Sequence, residues 1–421
     1  MSRTRRAHLW QGARIAASVA QPQRPRWDQA IVLMLCQSSQ SVLLGGIALF
    51  LPLIREDLGL TFTQAGTLAA TSTLIYAFMQ IPSGFLADRL GPRRLFIIGL
   101  AGTTTLAITF ALVNVYWLLL ANQALSGFFR ALVFAPGLLL MTALFPEARR
   151  ATALGLYVTG GLSSNVLLNL LGPLLVEPLG WGAVFIIFGL LGMVALAVFW
   201  RRSEPDARRP DHAPPSVLEG FRVFRHPVML TLGAIQFVRL AVLFGIATWL
   251  PTLLVDSKGY SLQTAGVIVA FGAIAGAPAN LLGGYVSDRL RRPLAVIAGS
   301  LSILMVCAVA LVHVRGLVPI LLVVGLISVF TQFYFGSLFS VPITMLGART
   351  AGLTSGIGNF FANAGGFTFI FTLGAVRDGT GSFDAGLYTL AGACALGVLL
   401  VFALSRMRGM QPPVSASPLE A

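Results

Sequence analysis

The sequence predicts an all-α membrane protein, and three observations support that class. Of the 421 residues, 56% are hydrophobic and only 10% are charged, whereas soluble domains carry about 25% charged residues. Apolar runs of about 20 residues, the length that crosses a hydrocarbon core, recur along the chain. These runs do not alternate between polar and apolar residues. They therefore fit helices, which satisfy their own backbone hydrogen bonds in lipid, and not the strands of a barrel.

We predict twelve transmembrane helices in two pseudo-symmetric six-helix bundles, residues 28–200 and 228–405. A polar, proline-rich cytoplasmic loop, 201–227, joins the bundles, and residues 1–27 and 406–421 are predicted to be cytoplasmic tails. The predicted spans are 29–53, 64–87, 94–113, 116–144, 152–176, 181–200, 228–252, 262–287, 293–313, 316–346, 350–375 and 384–405.

The basic residues favour this layout and place both termini in the cytoplasm. The chain has 28 arginines and one lysine; 23 of these lie in the segments predicted to be cytoplasmic and two lie within spans. The remaining four lie in predicted outer loops: Arg55, Lys258, Arg315 and Arg377. An inside excess of this size is the usual signature of orientation. The net charge of +14 is spread over the ends of apolar runs, so we expect the lipid bilayer as a partner and no nucleic acid.

The N-terminal segment and the cysteines carry weaker signals. Residues 1–27 contain six arginines and no acid, which fits a cytoplasmic tail; an organellar transit peptide is the alternative. Cys36, Cys307 and Cys394 lie in apolar segments without metal-ligand spacing, so we expect buried side chains, no disulfide framework and no metal or other cofactor. The four histidines lie in no nucleophile–base arrangement, and we predict no enzymatic activity.

One motif occurs twice. The loop after span two reads GFLADRLGPRR from Gly84 to Arg94, and the loop after span eight reads GGYVSDRLRRP from Gly283 to Pro293. Both resemble the cytoplasmic signature of the major facilitator superfamily, although Arg291 stands where the first copy has Gly91. The resemblance, which extends over the full chain, implies a multi-pass transporter of the plasma or inner membrane, monomeric, working by alternating access.

In that superfamily this loop latches helices in the outward-facing state. The resemblance therefore implies a gating role for the matching residues of both copies; anchoring at the anionic inner leaflet is the alternative. The predicted gating residues are Gly84, Asp88, Arg89, Gly91, Arg93, Gly284, Asp288 and Arg289.

Two charged residues lie deep within predicted spans, Arg130 in span four and Arg239 in span seven. Intramembrane charges are costly and usually mark function, and no aspartate or glutamate lies deep in any span. A substrate carboxylate or phosphate could supply the missing partner. In the superfamily fold both spans line the central cavity, so we predict an anion clamp. Hydrogen bonds to helix carbonyls and neighbouring amides are the alternative.

Further polar side chains lie in spans that face the cavity or its flanks, and for each the alternative role is an interhelical hydrogen bond. The predicted substrate-binding residues, besides the two arginines, are Gln37, Gln40, Asn165, Asn169, Gln236, Gln332, Tyr334, Asn359 and Asn363.

The last outer loop, Arg377–Phe383, and the arginines in spans four and seven resemble the anion:cation symporter branch of the superfamily. Asn122 stands where that branch usually has an arginine, and its span-one arginine and span-four carboxylate have no counterpart here. The resemblance implies transport of a small organic anion, a monocarboxylate or sugar acid, with a co-transported proton or an exchanged anion. Drug or metabolite efflux, suggested by Gly172-Pro173, and a non-transporting receptor are the alternatives.

Overall fold

A computed structural model describes residues 26–146, 149–204, 224–338, 341 and 351–409, and these residues form helices and no β-strand. Nearly all of the predicted N-terminal tail, most of the loop 201–227 and residues 410–421 of the C-terminal tail lie outside the described residues. The domain boundaries in those segments therefore remain predictions. Gly84 lies within a described helix, but its surroundings and the side chains of Asp88 and Asp288 lie outside the described part of the structure.

Most helices begin and end within a few residues of the predicted spans. The predicted end of span ten, at residue 346, lies outside the described residues. One stretch, Arg150–Arg202, is helical throughout except at Gly180 (φ 76°, ψ 159°), and its two arms are α5 and α6. A π-helical turn, Leu253–Ser257, continues α7, and α8 consists of two segments. The remaining bounds are α1 Trp27–Asp57, α2 Phe62–Leu90, α3 Pro92–Leu112, α4 Tyr116–Ala143, α7 Pro227–Thr252, α8 Leu262–Gly276 and Ala279–Leu290, α9 Pro293–His313, α10 Leu317–Phe333, α11 Ala351–Thr380 and α12 Asp384–Gly409.

Local sequence explains several helix ends. Thr61 precedes α2 and forms a capping box with Gln64, in which each side chain bonds the backbone N–H of the other residue, satisfying donors that the helix cannot. Pro92 begins α3 and Pro293 begins α9, where the missing N–H of proline costs nothing. Between α2 and α3 the chain turns at Gly91, which has φ 84° and ψ 143°.

Ten helices of the described chain are long and apolar enough to cross a membrane. Predicted spans five and six count as one of these, Ser163–Arg202, because the chain turns at Gly180 without a loop. Helix α2 is not among the ten, since its threonines, serines and glutamines lower its mean hydropathy. The class of all-helical membrane protein is confirmed, and the count of twelve spans and the cytoplasmic termini stay predictions.

The two halves repeat the same packing. Helix α1 packs on α5 as α7 packs on α11, α2 on α4 as α8 on α10, and α3 on α6 as α9 on α12. The three cysteines are buried and unpaired, as expected. Between the halves, α2 packs on α11, α5 on α8 and α1 on α7.

Several contacts between the halves lie at one end of the molecule. The arginine distribution assigns this end to the outside, and we call it the outer end. Arg55 of α1 forms an ion pair of 3.1 Å with Asp256, next to α7. The ring of Phe62 in α2 lies 6.0 Å from that of Trp249 in α7 and 5.7 Å from that of Phe383, before α12. These contacts join the two halves at the outer end.

Candidate functional site

Arg130 is held in the N-terminal half by neutral partners. It lies fourteen residues into α4, about 21 Å along the helix axis. Its Nη1 donates to the hydroxyl of Ser72 in α2 at 3.1 Å, and its guanidinium carbon lies 4.8 Å from the ring centroid of Tyr76. The amide of Gln40 in α1 donates to the backbone carbonyl of Arg130 at 3.4 Å. The arginine side chain stays partly exposed.

A small cavity, lined by both polar and apolar side chains, adjoins Arg130 inside the N-terminal bundle. Its volume is about 20 Å³, which holds about one water molecule. Asn122 lines it and donates to the carbonyl of Leu106 and the hydroxyl of Thr109, both at 2.9 Å, so this amide ties α4 to α3. The other polar side chains that line the cavity are Gln40, Ser72, Thr103, Gln123 and Ser126.

Arg239 of α7 is buried, with 5% of its surface exposed. Its Nε donates to the carbonyl of Thr331 and its Nη2 to the side-chain oxygen of Gln332, both at 3.3 Å, and the guanidinium lies 4.5 Å from the ring centroid of Phe335. Thr331 lies in the last turn of α10, where carbonyls lack the partners of a continuing helix. The structure thus brings together Arg239 and Gln332, two residues predicted for the site.

Neither arginine has a carboxylate partner among the residues that the structure describes. The ion pairs there are Arg26 with Glu204 and Arg55 with Asp256, at opposite ends of the molecule. A guanidinium carries five N–H donors; the hydrogen bonds above use one donor of Arg130 and two of Arg239. Both guanidinium groups therefore keep their charge and unused N–H donors for an anion. The carbonyl and the amide that Arg239 bonds are, however, the partners expected under the alternative role, in which the arginine bonds helix carbonyls and neighbouring amides.

Three buried polar atoms in the same region have no hydrogen-bond partner. They are the side-chain oxygens of Gln37 in α1 and Gln236 in α7, and the hydroxyl of Tyr334 after α10. The two glutamines occupy similar places, since Gln37 lies against Gly161 of α5 and Gln236 against Gly358 of α11. A buried polar atom without a partner costs about 1–3 kcal/mol, so these atoms favour a polar ligand or ordered water at both positions.

The asparagine pairs behave alike in the two halves. Asn169 donates to the carbonyl of Asn165, and Asn363 to that of Asn359, both at 2.8 Å and both four residues back in their own helix. These hydrogen bonds stay within α5 and within α11 and do not join either helix to a neighbour. Each pair keeps its amide oxygens for a further partner.

The residues of the predicted gating motif that the structure describes lie at the end of the molecule opposite to the outer end. Arg93 of α3 donates to the hydroxyl of Ser203 at 2.7 Å and to the carbonyl of Trp200 at 3.0 Å, tying α3 to the end of α6. Arg289 donates to the hydroxyl of Tyr285, one turn earlier in α8, Gly284 faces open space, and Arg89 is exposed.

Three residues that contact the two guanidinium groups were not predicted from the sequence: Ser72, Tyr76 and Phe335. Ser72 and Tyr76 are four residues apart and share a face of α2, which was the one available signal. Spacing alone does not separate them from the other hydroxyl residues of that helix.

This chain is similar to known transporters. Residues 33–370 match the family model described as Major Facilitator Superfamily. The chain is 25% identical to a D-galactonate transporter of Escherichia coli O6:H1, over 93% of this chain and 97% of that protein. It is 23% identical to a probable galactarate/D-glucarate transporter of Bacillus subtilis, over 83% and 85%.

Among solved structures, a bacterial homologue of the human lysosomal transporter Spinster, crystallised inward-facing and occupied, superposes with a TM-score of 0.79. The alignment covers 93% of this chain and all of that chain at 17% identity. This likeness supports the fold.

Proposed function

The chain belongs to the major facilitator superfamily, and we propose that it is a secondary active transporter of small organic anions, with sugar acids as the favoured substrates. Two relatives that it matches over most of their length are a D-galactonate transporter and a probable galactarate/D-glucarate transporter. Such substrates combine a carboxylate with several hydroxyl groups. They need a cation together with neutral donors and acceptors, which are the groups found around Arg130 and Arg239.

The observation that carries the proposal is the pair of mid-helix arginines held by neutral groups. Arg130 bonds a hydroxyl, and Arg239 bonds a carbonyl and an amide. A substrate carboxylate would bring the first negative charge to either guanidinium and could bond it through two oxygens. The unpartnered oxygens of Gln37 and Gln236 would accept hydrogen bonds from the hydroxyl groups of a sugar acid.

In the transport cycle that we propose, the halves rock about this central region. The contacts of Arg55 and Phe62 hold the outer end closed in one state, and the two motif loops take over in the other. No acid lies deep in the described helices. Coupling by a protein carboxylate is therefore not part of the proposal; the proton rides on the substrate, or a second anion is exchanged.

Uptake into proteoliposomes tests the proposal, with D-galactonate, D-glucarate and D-galacturonate as substrates. Loss of a hydrogen bond to a charged group costs about 1.5–3 kcal/mol, so Arg130→Gln and Arg239→Gln should each raise KM roughly ten- to hundredfold. Arg202→Gln, an exposed arginine at the end of α6, is the matched control and should leave KM unchanged.

Unchanged KM and maximal rate in both variants would refute the role of the arginines. The absence of uptake of any carboxylate, with transport of the lipophilic cation ethidium instead, would favour drug efflux.

A further inference from the structure

The four basic residues predicted to lie outside the membrane gather in one place. Lys258, Arg315 and Arg377 line a single cavity of about 580 Å³ at the outer end of the C-terminal half. The fourth, Arg55, forms its ion pair with Asp256, which lines the same cavity. These residues come from four separate segments of the chain, and their convergence is a property of the fold.

Two of the three cations that line the cavity, Lys258 and Arg377, are held by contacts with the protein. Nζ of Lys258 donates to the carbonyls of Val312 and Val314, at 3.0 and 3.1 Å, at the end of α9. Burial lowers the pKa of Lys258 below its usual range, which indicates a site partly shielded from water. The guanidinium of Arg377 lies 5.0 Å from the ring centroid of Phe62 and 5.4 Å from that of Phe383.

Arg377 keeps an unused donor. Nε of Arg377 is buried and has no hydrogen-bond partner. Two carboxylates also line the cavity, Asp256 and Asp384. Asp256 is engaged by Arg55, which leaves Asp384 to oppose three cations. The balance of charge in the cavity is positive.

We propose that this cavity is an external binding site for a small carboxylate anion, separate from the central region around Arg130 and Arg239. A guanidinium binds a carboxylate through two parallel hydrogen bonds, and Arg315 is exposed and free to do so. The site would concentrate organic anions at the outer end, because clefts lined by one sign of charge raise the local concentration of the opposite ion.

The test measures the electrostatic potential with a cysteine inside the cavity. Ser257 lines the cavity and is exposed, whereas the three native cysteines are buried. Ser257→Cys is labelled on intact cells with an anionic reagent, 2-sulfonatoethyl methanethiosulfonate, and with its cationic trimethylammonio analogue. Asn114→Cys is the matched control, since Asn114 is exposed and lines the outer cavity that contains Glu56 and Asp57.

We expect the anionic reagent to be favoured several-fold more at Ser257→Cys than at Asn114→Cys, and Arg315→Gln to remove most of that preference. Sodium D-galacturonate should slow anionic labelling more than sodium chloride of equal ionic strength. This protection should persist when Arg130→Gln and Arg239→Gln are added, so the result does not depend on transport through the central region.

Three outcomes would overturn the proposal. Equal reagent preference at the two cysteines would show that the cavity is not electropositive. Equal protection by chloride and D-galacturonate would reduce the effect to screening of charge. Protection that disappears with the Arg130→Gln and Arg239→Gln substitutions would assign it to the central region.

Discussion

The carboxylate of Asp378 in α11 accepts hydrogen bonds from the backbone N–H and the hydroxyl of Thr63 in α2, at 2.7 and 2.5 Å. It also accepts one from the N–H of Phe62, at 2.9 Å. The first N–H groups of a helix lack partners within the helix, and a negative charge is favourable there. The C-terminal half therefore caps a helix of the N-terminal half, and it does so at the outer end.

Replacement of Asp378 by asparagine should shift the protein toward conformations that are open at the outer end. The amide keeps one acceptor and loses the charge, and hydrogen bonds to a charged group contribute about 1.5–3 kcal/mol. Electron–electron distances between spin labels at Asn114 and Val318, both exposed at the outer end, should lengthen in a larger fraction of molecules. Asp384→Asn is the control, and an identical distance distribution in the two variants would contradict the prediction.

Gly266→Ala should open the same end by a steric route. A methyl group at Gly266 in α8 would overlap the carbonyl oxygen of Asn169 in α5, across the two halves. Each bundle can keep its own fold while α8 and α5 separate. The same pair of spin labels measures the change.

Gly299→Ala in α9 is the control, because a methyl group there meets no atom within 4 Å. It should raise the midpoint of thermal unfolding, as alanine is favoured over glycine in a helix by about 1 kcal/mol, and leave the distances unchanged. An outer end that remains closed in Gly266→Ala would show that α8 adjusts without separating from α5.

Ser72→Ala tests whether Ser72 positions Arg130. The variant removes the hydroxyl that accepts from Nη1 of Arg130, at a cost of about 1 kcal/mol. We expect KM for the transported anion to rise about fivefold, with the maximal rate retained. Ser302→Ala, which removes a hydroxyl that bonds its own helix, should change neither. A fall in maximal rate with constant KM would assign Ser72 to a step other than anion binding.

Substitution of the turn residue should change the thermal stability in opposite directions in the two copies of the motif. Gly91 has φ 84° and ψ 143°, close to a region that only glycine populates readily, so Gly91→Ala should destabilise by about 1–3 kcal/mol. Arg291 has φ 51°, a left-handed conformation that costs a side-chain-bearing residue about 1–2 kcal/mol. Arg291→Gly should raise the midpoint of thermal unfolding in detergent while Gly91→Ala lowers it. A shift of the same sign in both would contradict this account.

The helices could be placed from the sequence because lipid demands long apolar runs, and α1, α4 and α9 begin or end close to the predicted residues. The junction of α5 and α6 was harder. A loop was predicted between 176 and 181, whereas the helix continues to Gly180 and turns on that residue alone. Hydropathy registers the length of an apolar run and is insensitive to a single backbone angle.

The site was predictable in its charges and less so in its contacts. Arg130 and Arg239 stand out because charge is rare within the spans. Ser72 does not stand out, since neighbouring hydroxyls such as those of Thr67 and Thr71 bond the backbone of their own helix. The cap on Thr63 joins residues 315 positions apart in opposite halves, and no local pattern encodes such a pairing.

The turn at Gly180 has a consequence for the surrounding lipid. Because no loop separates α5 from α6, a displacement of α5 relative to α8 would also move α6. On the surface of α6, three apolar side chains are exposed: Leu190, Leu191 and Val194. They contact acyl chains if the helix spans the bilayer. Each transport cycle would then move an apolar helix through the lipid. The thickness and fluidity of the membrane would therefore contribute to the barrier to transport.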